Sequence, residues 1–247
     1  MHLLVTAGNS QMPIDRVRCI TNIFTGRTGA GIAVYAHTRG HDVTLLTSHP
    51  EAVDQRLTAD PPGRWTLKTY RTFDDFQALL EPLVRQGMMD AIIHCAAMSD
   101  FRTAGIYAPA PGTRLDEKQH WVSDTAAPPG LVDRSAEKVK STEPELWLRL
   151  VRTPKLIDRF RCDWGFKGIV VKFKLEVGLD DNRLLEIAER SRLESAADLM
   201  VANTLEGAPH WAYLGPFPGG YLKVSRRDLA ARLLQEVESL IGKKNHG

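Results

Sequence analysis

Short apolar runs alternate with segments of helical periodicity along most of this 247-residue chain. His2–Thr6 (HLLVT), Asp42–Thr47 (DVTLLT), Trp65–Tyr70, Asp90–Cys95 (DAIIHC), Gly168–Leu175 and Asp198–Ala202 (DLMVA) read as strands. Several are continuous apolar runs, the pattern of strands covered on both faces. Between them, Arg27–Arg39 carries small and apolar residues at helical spacing and stops at Gly40, a C-capping residue. Phe73–Arg85 places Phe73, Phe76, Leu79, Leu80 and Leu83 on one face, with Asp74 and Asp75 in the first turn. Asp180–Ser195 is amphipathic, and Arg226–Ile241 sets Leu229, Leu233, Val237 and Leu240 on one stripe. This rhythm predicts an α/β fold, a Rossmann-like, doubly wound and mostly parallel sheet with ligands at the carboxyl ends of its strands.

The middle of the chain departs from the rhythm. Two Pro/Gly-rich runs, APAPG at 108–112 and TAAPPG at 125–130, predict a loop-rich insertion over about 103–138. Leu146–Val151 alternates like an exposed strand. Pro154 behind Thr153 predicts a helix with Pro at its first position, running to about Cys162. Trp211–Leu214 and Tyr221–Val224 flank GPFPGG and predict a small β-ribbon over about 208–224. Lys243–Gly247 reads as a frayed end. The whole is expected to be a single domain, 1–247, carrying the insertion and the ribbon.

Composition narrows the function classes. Apolar content of 43% and charged content of 25% are ordinary for a globular protein. The formal net charge of +2, from 32 basic and 30 acidic residues, gives no electrostatic case for nucleic acid. Cys19, Cys95 and Cys162 are few and widely spaced, which predicts no disulfide framework, no metal knuckle and a reducing, cytoplasmic setting. The N-terminus has no basic and apolar leader pattern, and no window approaches a membrane span.

The strongest chemical signal is the turn Asn22-Ile-Phe-Thr-Gly-Arg-Thr-Gly-Ala-Gly31, which opens a predicted helix. Its free N–H groups, helix dipole, hydroxyls and guanidinium suit a phosphate. A dinucleotide fingerprint would leave the first strand directly, but here some fifteen residues intervene (~15, against the immediate strand–turn–helix of that motif). No acid follows the second strand, which ends Thr47-Ser48-His49, so a ribose-binding carboxylate is missing. A nicotinamide-dependent oxidoreductase is therefore the weaker reading. A second candidate is Cys95-Ala-Ala-Met-Ser-Asp-Phe-Arg102 at a strand exit, where Ser99, Asp100 and Arg102 bond either a ligand or their own turn. Lys174 alternates with buried positions at a strand terminus. His94 lies inside an apolar strand, the usual place of a satisfied core histidine.

Taken together, these segments resemble the phosphopantothenoylcysteine synthetases in their stand-alone form. Gly8 to Gly29 is similar to the family's N-terminal signature, a turn followed by P-x-D-x-V-R-x-I-x-N and a Ser/Thr-Gly phosphate turn. Ala96-Ala-Met-Ser-Asp-Phe-Arg102 resembles A-A-V-S-D-Y/F, and Lys138-Val-Lys140-Ser resembles K-I-K/S-S. Arg152-Thr-Pro154-Lys-Leu-Ile, Phe173-Lys-Leu-Glu176 and Ala197-Asp198-Leu-Met-Val-Ala-Asn203 follow in order, so the resemblance covers about residues 3 to 240. It implies a ligase that joins 4'-phosphopantothenate to L-cysteine through an acyl-nucleotidylate made from CTP or ATP, with Mg²⁺, in a homodimer. By the same match Asn22 would hold the acyl intermediate, and Lys174, the second catalytic candidate, would lie close to the nucleotide base and phosphates. Gly8, Asp15, Arg18, Thr25, Gly26, Arg27, Gly29 and Lys140 would bind substrate or phosphate. Ala96, Ala97, Ser99, Asp100, Phe173 and Asn203 would line the nucleotide site.

One departure is specific. The lysine-rich flap of two-domain relatives is replaced by Arg190-Ser-Arg192-Leu-Glu-Ser-Ala-Ala-Asp198, which contains no lysine. Arg190 and Arg192 are its candidate cations, although arginine does not substitute simply for lysine at a mobile phosphate contact. The gap keeps open a nucleotide-binding homologue without ligase activity.

Overall fold

The structure, a computed structural model, describes residues 1–53, 64–136 and 138–246. The chain begins β1 (His2–Ala7), β2 (Gln11–Pro13), β3 (Cys19–Thr21), α1 (Arg27–Thr38), β4 (Asp42–Thr47), β5 (Trp65–Thr69), α2 (Phe73–Arg85) and β6 (Ala91–His94). Five strands follow: β7 (Phe101–Pro109), β8 (Thr113–Leu115), β9 (Trp121–Ser123), β10 (Leu131–Asp133) and β11 (Trp147–Arg152). The chain closes with α3 (Arg159–Cys162), β12 (Ile169–Glu176), α4 (Asp181–Glu194), β13 (Leu199–Thr204), β14 (Trp211–Phe217), β15 (Gly220–Ser225) and α5 (Leu229–His246). Two compact units result. The larger takes Met1–Ser10, Ile23–Met98 and the chain from Lys155 onward, and the smaller takes Gln11–Asn22 and Ser99–Pro154.

The larger unit is built on one sheet in the order β15-β14-β13-β12-β6-β1-β4-β5. The six strands from β13 to β5 are parallel, and β14 and β15 are added antiparallel. From β1 the chain winds to β4 and β5, then crosses to β6, β12 and β13. The order therefore reverses between β1 and β6, and such a reversal opens a crevice at the strands' carboxyl ends. Both faces are covered, which explains the unbroken apolar runs. Ala30, Ile32, Ala33 and Ala36 of α1 and Leu229, Leu233 and Val237 of α5 pack on Leu3, Val5, Leu45, Ile93, Val171 and Val201. The alternate residues Leu4, Leu46, Ile92 and Val170 meet Phe76, Leu80 and Val84 of α2 together with Phe160 and Trp164. On that same face Leu184 and Ala188 of α4 cover Met200 and Ala202.

Helix ends follow the local chemistry of the sequence. Thr72 caps α2, accepting from the Asp75 N–H at 3.1 Å while Asp75 accepts from the Thr72 N–H at 2.9 Å. At the end of α1, Gly40 (φ +89°) donates to His37 O at 2.9 Å and His41 donates to Ala36 O at 3.2 Å. That is the left-handed glycine stop read from the sequence. The helix expected to start at Pro154 is a correction. Thr153 continues the antiparallel pairing, its N–H donating to Asp100 O (3.0 Å) and its hydroxyl to Ser99 O (2.6 Å), so it cannot cap a helix. Helical structure begins only at Leu156, as a 3-10 turn leading into the four-residue α3. The tail read as frayed is helical through His246, with Lys244 Nζ donating to Lys167 O at 3.1 Å, and Gly247 lies outside the described residues.

The smaller unit contains a three-stranded antiparallel sheet, β10-β7-β11, and two hairpins, β2-β3 and β8-β9. The stretch 103–138, read as loop-rich, thus holds most of β7 and all of β8 to β10. Its Pro/Gly runs mark the turns between short strands. The buried apolar residues here are Met12, Ile106, Ala108 and Val139. Trp121 and Trp147 meet edge to face at 4.9 Å. As predicted, β11 is an exposed edge, with Trp147 and Leu150 presented to solvent. Among the described residues no helix is long and apolar enough to cross a membrane.

Candidate active site

The displaced glycine turn occupies the position of a first strand-to-helix turn after all. The chain leaves the larger unit after Ser10, re-enters at Ile23, and starts α1 directly against the end of β1. A Cβ on Gly26 (φ +71°) would stand 2.5 Å from Gly8 N and 2.9 Å from Gly8 Cα, so only glycine permits this approach. One turn on, a Cβ on Gly29 would stand 2.7 Å from Ala7 Cβ. The first N–H groups of α1 have no partner within the helix, and no acid lies in its first turn. No carboxylate of its own first turn offsets the positive end of the helix dipole.

A cleft of about 290 Å³ opens at this point. It lies at the carboxyl ends of β1, β6, β12 and β13, four neighbouring strands, beside the reversal between β1 and β6. Gly8 and the run Phe24–Thr28 form one wall, and Cys95, Ala96 and Ala97 form the floor. Pairing continues past the strands there: Cys95 N–H donates to Thr6 O (3.2 Å) and Ala97 N–H to Gly8 O (2.8 Å). Phe173, Lys174 and Leu175 make the opposite wall with Asn203 and Ala208, the parallel register setting Leu175 beside Asn203. Lys174 Nζ is 2.9 Å from Glu176. A larger, open depression of about 740 Å³ by Asp180–Arg183 and Glu186 has only polar walls, three of them acidic, and does not suit an anion.

In and beneath the floor, the Cys95 thiol and the His94 imidazole are kept neutral. His94 Nδ1 lies 3.1 Å from Thr6 Oγ1, which also accepts from the Ala96 N–H at 3.2 Å. The imidazole sits between the rings of Phe76 and Phe160. Burial, reinforced by the Lys172 charge, pushes its pKa down to about 4, so it is a neutral core group. Burial likewise pushes the Cys95 thiol up to about 12, which removes it as a nucleophile. Lys172, two residues before Lys174 on β12, is held by its own partners. It donates to Ser191 O (2.8 Å) and to Ser195 Oγ (2.5 Å), and Ser195 donates in turn to Asp158 Oδ1 (2.5 Å). Burial lowers the Lys172 pKa, and its role is to fasten the end of α4.

The predicted residues divide between the two units. Gly8, Thr25, Gly26, Arg27, Ala96, Ala97, Phe173, Lys174 and Asn203 line the cleft, and Gly29 packs behind its helical wall. Arg190 and Arg192 do not line it. Arg190 is exposed on α4, while Arg192 pairs with Glu189 at 2.6 Å and donates to Ala197 O at 2.8 Å. That pairing, with the Tyr221 hydroxyl, holds Glu189 at about 2.

The smaller unit holds Asp15, Arg18, Asn22, Ser99, Asp100 and Lys140. The covered Asp15 carboxylate accepts from Arg18 (2.6 Å), from the Val17 N–H (2.9 Å) and from the Val139 N–H (3.1 Å). Arg18 donates to Val139 O at 3.0 Å, so the pair fixes the segment that carries Lys140. Ser99 donates to Phe101 O at 2.8 Å and steadies the start of β7, while Asp100 is exposed there. Sequence reasoning missed Phe24, Leu175 and Ala208 as cleft residues, whereas Thr28 and Cys95 line it as members of the two segments singled out, the glycine turn and the strand exit. Phe24 sits within the glycine turn itself and was findable, but Ala208 carried no signal.

Residues 1–109 match the family model described as the DNA/pantothenate metabolism flavoprotein C-terminal domain. The chain is 28% identical over 247 residues to the coenzyme A biosynthesis bifunctional protein CoaBC of Thermococcus kodakarensis, an alignment covering 97% of this chain and 51% of that protein. It thus spans about half the length of the curated relatives it matches. Its fold is similar to the crystal structure of the DNA/pantothenate metabolism flavoprotein from Streptococcus pneumoniae, with TM-score 0.74, 24% identity and coverage of 97% and 99% of the two chains. It is also similar to a Cab2 H337A mutant in complex with phosphopantothenate-cysteine, with TM-score 0.65, 16% identity and coverage of 98% and 86%. The chain is therefore similar to CoaBC along nearly all of its length and matches the flavoprotein C-terminal domain over its first 109 residues, in the direction its motifs point.

Proposed function

We propose that the protein is a phosphopantothenate–cysteine ligase of coenzyme A biosynthesis. A carboxylate oxygen of 4'-phosphopantothenate attacks the α-phosphorus of CTP or ATP. The α–β anhydride bond breaks, pyrophosphate leaves and an acyl-nucleotidylate remains. The neutral amine of L-cysteine then attacks the acyl carbon, loses a proton, and expels the nucleoside monophosphate. The observation that carries this reading is the convergence of four strand ends and the α1 N-terminus on one cleft. Its backbone donors, Arg27 and Lys174 face the same space, as transfer between two anionic substrates requires. Asn22 is assigned to the acyl intermediate by motif resemblance. The Cab2 structure similar in fold, a complex with phosphopantothenate-cysteine, is in keeping with this choice of substrates.

Mg²⁺ is the companion expected for the triphosphate, whose charge it screens when bound. Among the described residues no three His, Cys, Asp or Glu side chains gather as a cage, so phosphate oxygens and water would supply most of its ligands.

The test is pyrophosphate release with CTP and ATP in parallel. Release is expected to require phosphopantothenate, to persist as a single turnover without cysteine, and to be lost in Asn22→Asp. Nucleotide binding with no phosphopantothenate-dependent release would instead identify a binding homologue, the reading favoured by the absence of Arg190 and Arg192 from the cleft.

A further inference from the structure

Arg226 lies 198 residues along the chain from Thr28, yet its guanidinium donates to the Thr28 hydroxyl on the first turn of α1. Its backbone is fixed, because the Arg226 N–H donates to His210 O at 2.7 Å. The next turn is closed by Ser225 Oγ donating to Asp228 at 2.6 Å and by the Asp228 N–H donating to Ser225 Oγ at 3.2 Å. Asp228, the nearest acid in sequence, is thereby engaged elsewhere, and among the described residues no carboxylate forms an ion pair with Arg226. Of the cations here, Lys174 and Arg27 line the cleft, and Arg226 is joined to it through Thr28, which lines it too. Lys174 is partly neutralised by Glu176, whereas Arg27 and Arg226 flank a helix end that has no acid in its first turn. The positive potential of Arg226 reaches the cleft floor, where it acts on the Cys95 thiol against the effect of burial.

We infer that Arg226 is a phosphate-binding residue of this cleft, gripping the polyphosphate end of the nucleotide together with Thr28 and the N-terminus of α1. A guanidinium has five N–H donors in a planar fork, and one bond to Thr28 leaves the rest for a bidentate hold on phosphate oxygens. Because Thr28 accepts from Arg226, its own hydroxyl proton remains available as a further donor. The site takes a di- or triphosphate; that the phosphate belongs to CTP or ATP rests on the ligase reading above.

The test measures binding of inorganic tripolyphosphate and pyrophosphate by calorimetry, beside the steady-state assay. Arg226→Gln is expected to weaken tripolyphosphate by on the order of tenfold to a hundredfold. It should raise the nucleotide KM comparably and leave the phosphopantothenate KM within about twofold, a split that a merely structural arginine would not produce. Arg226→Lys keeps the charge but not the fork and is expected to lose roughly threefold to tenfold; it replaces the glutamine variant if that one fails to fold. Equal tripolyphosphate affinity in wild type and variant overturns the role of Arg226, while pyrophosphate release by the wild type would leave the ligase reading standing. Arg226-dependent binding without pyrophosphate release would uphold the site and overturn the ligase. A wild type that binds neither inorganic phosphate, CTP nor ATP overturns both.

Discussion

The two units hold their shapes by different means. In the larger, Leu3, Leu4, Val5 and Ala7 of β1 are fully buried between two helical layers, and neighbouring strands repeat the pattern. Its site is a property of topology: the strand order reverses, two glycines let β1 and α1 touch, and backbone groups face the opening. In the smaller unit, β2, β3, β8, β9 and β10 have three residues each and bury few apolar side chains. Polar bonds do the equivalent work there: Asp15 with Arg18 and Val139, Thr153 with Ser99, and Arg134 with Glu143 at 2.7 Å. A site residue in the larger unit is therefore placed by the sheet, whereas one in the smaller unit is placed by particular side chains. Substitutions should distinguish the two.

The largest effect is expected from Gly26→Val. A β-branched residue at φ +71° combines left-handed strain with a clash against the Gly8 backbone, which cannot give way as a flexible side chain would. Together these cost between about 2 and 5 kcal/mol. Denaturant unfolding should show the loss, and tripolyphosphate binding should disappear. Hydrogen exchange should accelerate first at β1 and α1, with β7 protected until global unfolding. Unchanged stability and binding in this variant would mean that the close approach of the two turns does not shape the site.

The same contrast explains what could be read beforehand. The strands at His2–Thr6, Asp42–Thr47 and Asp198–Ala202 and the helices over Arg27–Arg39 and Phe73–Arg85 were legible because burial on both faces writes itself into periodicity. The smaller unit was not legible, since three-residue strands lie below the reach of any period and their turns dominate the composition. Within the site, the residues of the glycine turn and of the Cys95–Ala97 exit could be found because a strand end and a helix start are local signals. Arg226 was not findable: its partner Thr28 is remote, and nothing in Ser225-Arg226-Arg227 marks one arginine over the other. The arginines that were singled out, Arg190 and Arg192, answered a gap in a motif, and the structure uses Arg192 to tie the end of α4 instead.

Acid should break the larger unit through His94. Its folded pKa of about 4 lies below the ordinary 6.5, so the unfolded chain binds the extra proton. The stability it contributes is whole above about pH 6.5 and is lost as the pH falls towards 4, amounting to on the order of 3 kcal/mol. His94→Gln keeps a hydrogen-bonding partner for Thr6 and removes the titration. The expected result is a flatter dependence of unfolding free energy on pH between 6.5 and 4, whatever the variant's stability at neutral pH. Parallel curves for the variant and wild type would show that the acid sensitivity arises elsewhere.

The smallest expected effect is confined to the other unit and comes from Asp15→Asn. Arg18 first, then the Val17 N–H, hold the Asp15 carboxyl well below the usual carboxylate range. Its contribution is therefore present above about pH 4 and fades only below the ordinary carboxylate pKa. The amide loses the charge facing Arg18 and half of its acceptors, so the β2-β3 hairpin and the segment at Val139 lose their common tie. Exchange of the Val17, Arg18 and Val139 amides should accelerate roughly tenfold at neutral pH, while β1, β6 and tripolyphosphate binding stay as they are. If β1 and β6 loosened to the same degree, the two units would be a single cooperative structure and the distinction between placement by sheet and placement by side chain would fail.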